Sequence, residues 1–95
     1  MKSPKKLNKL KLAFITGATK GIGRSTAITF ANAGWDLILL SRKIDLMEKL
    51  KSELLPTKSK INLVECDLSN PLEIENCVKG SIEKYGCPSV LINNA

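Results

Sequence analysis

The feature that most limits how this chain can fold is a regular exchange between short apolar runs and longer helical stretches. The apolar runs are Leu10–Ile15, Asp36–Leu40, Ile61–Glu65 and Ser89–Ile92. Between them lie Gly21–Ala33, free of Pro and rich in Ala, Ile and Thr, then Ile44–Leu55 and Leu72–Tyr85. Ile44–Leu55 spaces Ile44, Leu46, Met47, Leu50, Leu54 and Leu55 among Lys and Glu, the pattern of an amphipathic helix ended by Pro56. Asn70 as cap, Pro71 at the first helical position and Glu73 three after the cap mark the start of the third helix. Its inner side is expected to carry Ile74, Cys77, Val78 and Ile82 or Tyr85. The order is β-α-β-α-β-α-β. Short apolar strands joined by crossover helices imply a parallel α/β sheet with helices on both faces. The third strand alternates in part and is expected near an edge.

At 95 residues the chain is one small domain or part of a larger one. Its net charge of +6 invites a nucleic-acid or membrane reading. Lys2, Lys5, Lys6, Lys9 and Lys11 supply five of those charges, and the rest of the chain has ten basic against nine acidic residues. The basicity therefore belongs to an N-terminal arm, residues 1–10, and no nucleic-acid or membrane partner is expected. A basic-arm nucleic-acid binder is the minor alternative. No run reaches the roughly 18 apolar residues of a membrane span. Leu12–Ile15 is also too short for the core of a signal peptide.

Cys66, Cys77 and Cys87 are odd in number and lack C-x-x-C spacing, and the chain has no His. The expectation is buried or neutral thiols in a reducing cytoplasm, with no metal site and no His general base.

The stretch Thr16-Gly-Ala-Thr-Lys-Gly-Ile-Gly-Arg24 joins the first strand to the first helix. Backbone N–H groups and the helix dipole make such a junction a ready anion site. A P-loop needs two glycines five apart followed by Lys-Ser/Thr. Gly17, Gly21 and Gly23 are spaced four and two, and Lys20 precedes Gly21, so that motif fails. The dinucleotide fingerprint G-x-G-x-x-G is half met, with Thr26 in the third place. Turn glycines alone are the bland alternative.

Thr16-Gly17-x-x-x-Gly21-x-Gly23, then Asp67-Leu68 after the third strand, then Asn93-Asn94-Ala95 after the fourth, resemble three successive markers of the short-chain dehydrogenase/reductase family. The resemblance implies a Rossmann-type doubly wound sheet, strand order 3-2-1-4, in which residues 11–95 are the N-terminal part of an NAD(P)-binding domain. It implies that Gly17 permits the bend and that Gly21 and Gly23 let main chain approach a pyrophosphate. Thr16, Thr19, Lys20 and Ile22 complete that loop. Asp67 would meet the adenine amino group, the Leu68 N–H the ring, and Asn93, Asn94 and Ala95 the adenosine ribose and central strands. Helix capping for Asp67 and turn chemistry for the Asn pair are the alternatives.

A Rossmann-type site that prefers NAD carries Asp or Glu at the end of the second strand. Here Ser41 and Arg42 stand there, and Asp36 lies at the far end. With Lys20 they can bond a 2′-phosphate, which makes NADP the expected cofactor and NAD the weaker candidate.

In the family, a Ser and a Tyr-x-x-x-Lys pair carry proton transfer while hydride moves between nicotinamide and a small carbonyl or alcohol substrate. The only Tyr here is Tyr85, followed four residues later by Ser89, and no catalytic residue is assigned. The expectation is thus the cofactor-binding half of an NADP-dependent oxidoreductase, inactive by itself, whose complete form is a homo-oligomer. A short NADP(H)-binding protein without catalysis is the alternative. A fourth strand left as a bare apolar edge would favour association.

Overall fold

A computed structural model describes residues 11–94; the basic arm at 1–10 and Ala95 lie outside the described residues. The chain forms β1 (Leu12–Thr16), α1 (Gly21–Asn32), β2 (Asp36–Ser41), α2 (Ile44–Glu53), β3 (Ile61–Glu65), α3 (Pro71–Tyr85) and β4 (Val90–Asn93). All strand pairs are parallel, in the order β3-β2-β1-β4. Register places Leu12 against Asp36, Ala13 against Val90 and Leu37 against Ile61.

Alternate residues of β1 and β2 serve opposite faces, as the strand repeat requires. Ala13, Ile15, Leu37 and Leu39 pack under Ala27 and Ala31 of α1 and Met47 and Leu50 of α2. Leu12, Phe14, Ile38 and Leu40 pack on the other face under Ile74, Cys77, Val78, Ile82 and Tyr85 of α3. The direction of winding explains this split. From β1 to β3 the chain steps outward in one direction, and from β3 it returns past β1 to β4. Right-handed crossovers put helices from these two directions on opposite faces. The reversal leaves a crevice at the carboxyl ends of β1 and β4, where ligands bind in sheets of this kind. The fold is a doubly wound α/β sheet of Rossmann type.

The strands sit within a residue or two of their sequence positions. β1 begins at Leu12 and takes in Thr16, and all five of its residues are buried. β3 forms an edge, as its alternation suggests. β4 pairs with β1 alone among the described residues, and Leu91 is exposed on it. The second helix is shorter than its periodicity suggests. α2 stops at Glu53, and Leu55–Thr57 forms a 3-10 turn with Pro56 inside it. Pro lacks an N–H and its ring would strike the carbonyl four residues back, so the α-helical ladder ends before it. Leu46 and Leu55 are exposed, leaving Met47, Leu50 and Leu54 as the buried stripe.

Asn70 caps α3 by accepting from Leu72 N at 3.1 Å and Glu73 N at 3.2 Å. Glu73 is at the right position for a capping box, but its carboxylate reaches further back and accepts from Asp67 N at 3.0 Å. The Asn70 N–H instead meets Asp67 O at 3.2 Å, closing the β3–α3 loop on itself.

Candidate cofactor site

At the carboxyl edge of the sheet, an open cleft of about 620 Å³ lies over the β1–α1 junction. It is lined by the Gly17, Thr19–Gly23 loop, Ser41 and Lys43 beyond β2, Leu68 beyond β3 and Asn94 beyond β4. Every strand end in the sheet thus contributes. A second cleft of about 570 Å³ shares Gly21 and Ile22 and runs along α1 past Ser25 and Phe30, without a basic residue in its wall.

The backbone of the junction explains two glycines. Gly21 has φ of 62°, in the left-handed region that side chains with a Cβ disfavour. Gly23 is different: a Cβ there would lie 2.0 Å from the Gly17 carbonyl oxygen. The chain's own main chain therefore demands glycine at 23, whatever ligand is present. Close packing of α1 onto the turn is what brings the helix's first N–H groups to the cleft.

Those donors are open. The first α-helical bond is Arg24 N to Lys20 O at 3.3 Å, so the N–H groups of Gly21, Ile22 and Gly23 have no partner within the helix. Lys20 makes no side-chain cap, and the first turn of α1 carries no acidic residue. α3, by contrast, is capped by Asn70 and has Glu73 in its first turn. The residues lining the cleft include Lys20 and Lys43 and no carboxylate. Open donors, a positive helix end and two ammonium groups suit a phosphate or diphosphate.

The sequence-nominated residues divide into groups. Gly17, Thr19, Lys20, Gly21, Ile22, Gly23, Ser41, Leu68 and Asn94 line the cleft together. Thr16 is buried beneath it and works as a tie between strands: its Oγ1 donates to Asn93 Oδ1 at 2.9 Å and accepts from Asn94 N at 3.0 Å. Thr16 and Asn93 thus fix the β1–β4 crevice. Arg42 and Asp67, nominated for opposite groups of the adenosine, stand together at the rim, Arg42 Nη1 3.7 Å from Asp67 Oδ2. Asp67 Oδ1 accepts from the Ser69 hydroxyl at 2.7 Å and from Ser69 N at 3.0 Å. Those bonds, with Arg42 as a lesser contributor, hold the Asp67 carboxyl below the usual carboxylate range. Ser41 is buried, and its Oγ accepts from Lys43 N at 3.0 Å, which leaves the hydroxyl proton available to donate. Ala95 lies outside the described residues.

Lys43 was not nominated from sequence. Its signal was the unbroken run Ser41-Arg42-Lys43 after a strand end. Tyr85 sits at the opposite edge of the molecule, in a crevice with Leu12 and Asp36, the first residues of β1 and β2, and the Lys84 ammonium lies 5.4 Å from its ring centre. It packs the end of α3, as expected. Among the described residues, no helix is long and apolar enough to cross a membrane.

Comparison with known proteins agrees with this geometry. The family model described as short chain dehydrogenase matches residues 11–95. Farnesol dehydrogenase of Aedes aegypti is 36% identical over 86 residues, covering 90% of this chain and 35% of that protein. The alcohol dehydrogenase of the archaeon Thermococcus sibiricus, complexed with 5-hydroxy-NADP, superposes with a TM-score of 0.78 at 33% identity, over 85% of this chain and 35% of that one. L-Sorbose reductase from Gluconobacter frateurii, complexed with NADPH and L-sorbose, gives 0.81 at 29% identity, over 90% of this chain and 33% of that one. The chain thus spans about a third of the length of the proteins it matches. With the family model matching residues 11–95 and the sheet order shared with the solved relatives, the chain belongs to the short-chain dehydrogenase family and corresponds to its N-terminal part.

Proposed function

We propose that these residues bind NADP(H) for an oxidoreductase that moves hydride between the nicotinamide and a small carbonyl or alcohol compound. The observation that carries the proposal is the cleft wall: open α1 N–H donors and Lys20 beside Ser41 and Lys43, with Arg42 next in sequence and no carboxylate where a 2′-hydroxyl would need one. The diphosphate is assigned to the first turn of α1 and the 2′-phosphate to Ser41, Arg42, Lys43 and Lys20. Asp67 and Leu68 are assigned to the adenine, and Asn93, Asn94 and Ala95 to the ribose side. The Arg42–Asp67 pair is no obstacle. The Arg42 side chain is 67% exposed, and exposed pairs are worth little, so the guanidinium can turn to a phosphate at small cost. Relatives of the same fold complexed with 5-hydroxy-NADP or NADPH support this reading.

When bound, the cofactor supplies hydride chemistry; the residues described here bind and orient it. Proton transfer needs other groups. The 95 residues hold one Tyr, at the wrong edge of the sheet, and no Tyr-x-x-x-Lys, so this stretch is proposed to bind cofactor without turnover by itself. The complete enzyme is proposed to be a homo-oligomer acting on small molecules.

The test is calorimetric titration with NADPH and NADH. NADPH should bind more tightly, and Arg42→Ala should weaken NADPH by about 10-fold, the low end for a charge-assisted bond made by an exposed group, while leaving NADH unchanged. Ser41→Asp with Arg42→Ala should invert the preference. Equal or tighter NADH binding by the unmodified chain would refute the assignment.

A further inference from the structure

Cys66, Glu73 and Cys77 line no part of the cofactor cleft, yet their ligand atoms converge. The two Sγ atoms and a Glu73 carboxylate oxygen all lie within 4.8 Å of one another. The convergence has a simple origin. Glu73 and Cys77 stand four residues apart on α3 and so share a helix face. Cys66 follows β3 directly and is fully buried in the core beneath that helix. Cys66 Sγ is 3.8 Å from Glu73 O, and Cys77 Sγ is 3.8 Å from Glu65 O, so both thiols point into the seam between β3 and α3. The Glu73 carboxylate is steadied through Oε2 by the Asp67 N–H at 3.0 Å, the kind of outer bond that orients a metal ligand.

We propose that Cys66, Glu73 and Cys77 form a binding site for one thiophilic divalent cation of the zinc class. Sulfur and oxygen ligands on one tetrahedral zinc, at about 2.3 Å and about 2.0–2.2 Å, lie roughly 3.5–3.8 Å apart. Closing the observed triangle to that size takes side-chain movements of about 1 Å or less. Two sulfurs and one carboxylate disfavour magnesium and calcium, which take oxygen shells. Three protein ligands leave the fourth position to water, the arrangement of an open site. On binding, each thiol releases its proton to solvent and a metal–sulfur bond takes its place; nothing is oxidised or reduced. The expectation of no metal site rests on an odd cysteine count, the lack of C-x-x-C spacing and the absence of His, whereas this site joins two cysteines to a carboxylate. The bound ion would clip β3 to α3 across the loop that presents Leu68 to the cleft.

The test uses Co²⁺ as probe on the reduced, metal-free chain under anaerobic conditions. A thiolate-to-cobalt charge-transfer absorption should saturate at one Co²⁺ per chain and disappear on adding Zn²⁺. Cys77→Ser should abolish it and Cys87→Ser should leave it intact. Glu73→Gln should weaken Co²⁺ at least as much as the roughly 10-fold loss typical of a missing outer-shell partner. A second measurement needs no variant: Zn²⁺ should slow alkylation of Cys77 in the unmodified chain and not that of Cys87. An absent absorption, one that survives Cys77→Ser or vanishes with Cys87→Ser, or alkylation of Cys77 indifferent to Zn²⁺, would overturn the proposal.

Discussion

Replacing Gly23 by Ala tests the packing that builds the cofactor cleft. The added Cβ would sit 2.0 Å from the Gly17 carbonyl oxygen and 2.8 Å from its carbon, with Ala18 Cα at 3.1 Å. Every one of those atoms is main chain, so no side chain can swing aside. Restoring an ordinary contact of about 3.5 Å requires α1 and the turn to separate by roughly 1.5 Å. Overpacking of this kind costs about 1–3 kcal/mol, and with backbone on both sides the upper figure applies. For a chain of this size about 3 kcal/mol lowers Tm by roughly 12–24 °C. Gly80 supplies the contrast. It is exposed inside α3, and a Cβ there meets nothing within 4 Å. Gly80→Ala should gain about 0.5–1 kcal/mol from helix propensity alone. Thermal melts followed by far-ultraviolet circular dichroism would rank the variants Gly80→Ala, parent, Gly23→Ala. NADPH affinity should fall only in the last. A Gly23→Ala chain that melts within about 2 °C of the parent and binds NADPH equally would refute the reasoning.

Asn70→Ala removes the acceptor for both Leu72 N and Glu73 N, and urea unfolding should show a loss of about 1 kcal/mol. Burial, with the Cys77 thiol beside it, pushes the Cys66 thiol up to about 12. At pH 8 it should therefore hold on the order of 1,000-fold less thiolate than an ordinary thiol of pKa about 8.5. Mass spectrometry after timed iodoacetamide treatment of the metal-free native chain should find Cys66 unmodified long after Cys87, which is exposed; alkylation of both at one rate would contradict this.

The arrangement of strands and helices was legible because each apolar run here is short, the first three are each followed by a helical stretch, and residues that stop or start helices stand at the helix boundaries. Gly34, Pro56 and Pro71 carry that punctuation. The cleft was legible because its residues cluster at strand ends, where parallel topology collects them. What escaped depends on distances that no spacing encodes. Glu73 looked like half of a capping box, yet the loop before α3 folds so that Asp67 N, not the cap's own N–H, lies within its reach. Gly23 looked like an allowance for a ligand, whereas Gly17 O already occupies the space of its missing Cβ. Thr16 counts from its motif as part of the cofactor loop, and the structure buries it as a tie to Asn93 and Asn94. Cys66 and Cys77 meet because α3 folds back over the end of β3, a tertiary contact that their separation in sequence does not announce.

The most direct measurement is amide NMR of the ¹⁵N-labelled chain during titration with NADPH. The N–H signals of Gly21, Ile22 and Gly23, which the helix leaves open, should move most, together with those of Ser41, Arg42 and Leu68. Those of Lys60 and Tyr85, at the other edge of the sheet, should stay in place. Saturable binding that left the first turn of α1 unmoved, or shifts confined to the opposite edge, would contradict the assignment of the diphosphate to that turn.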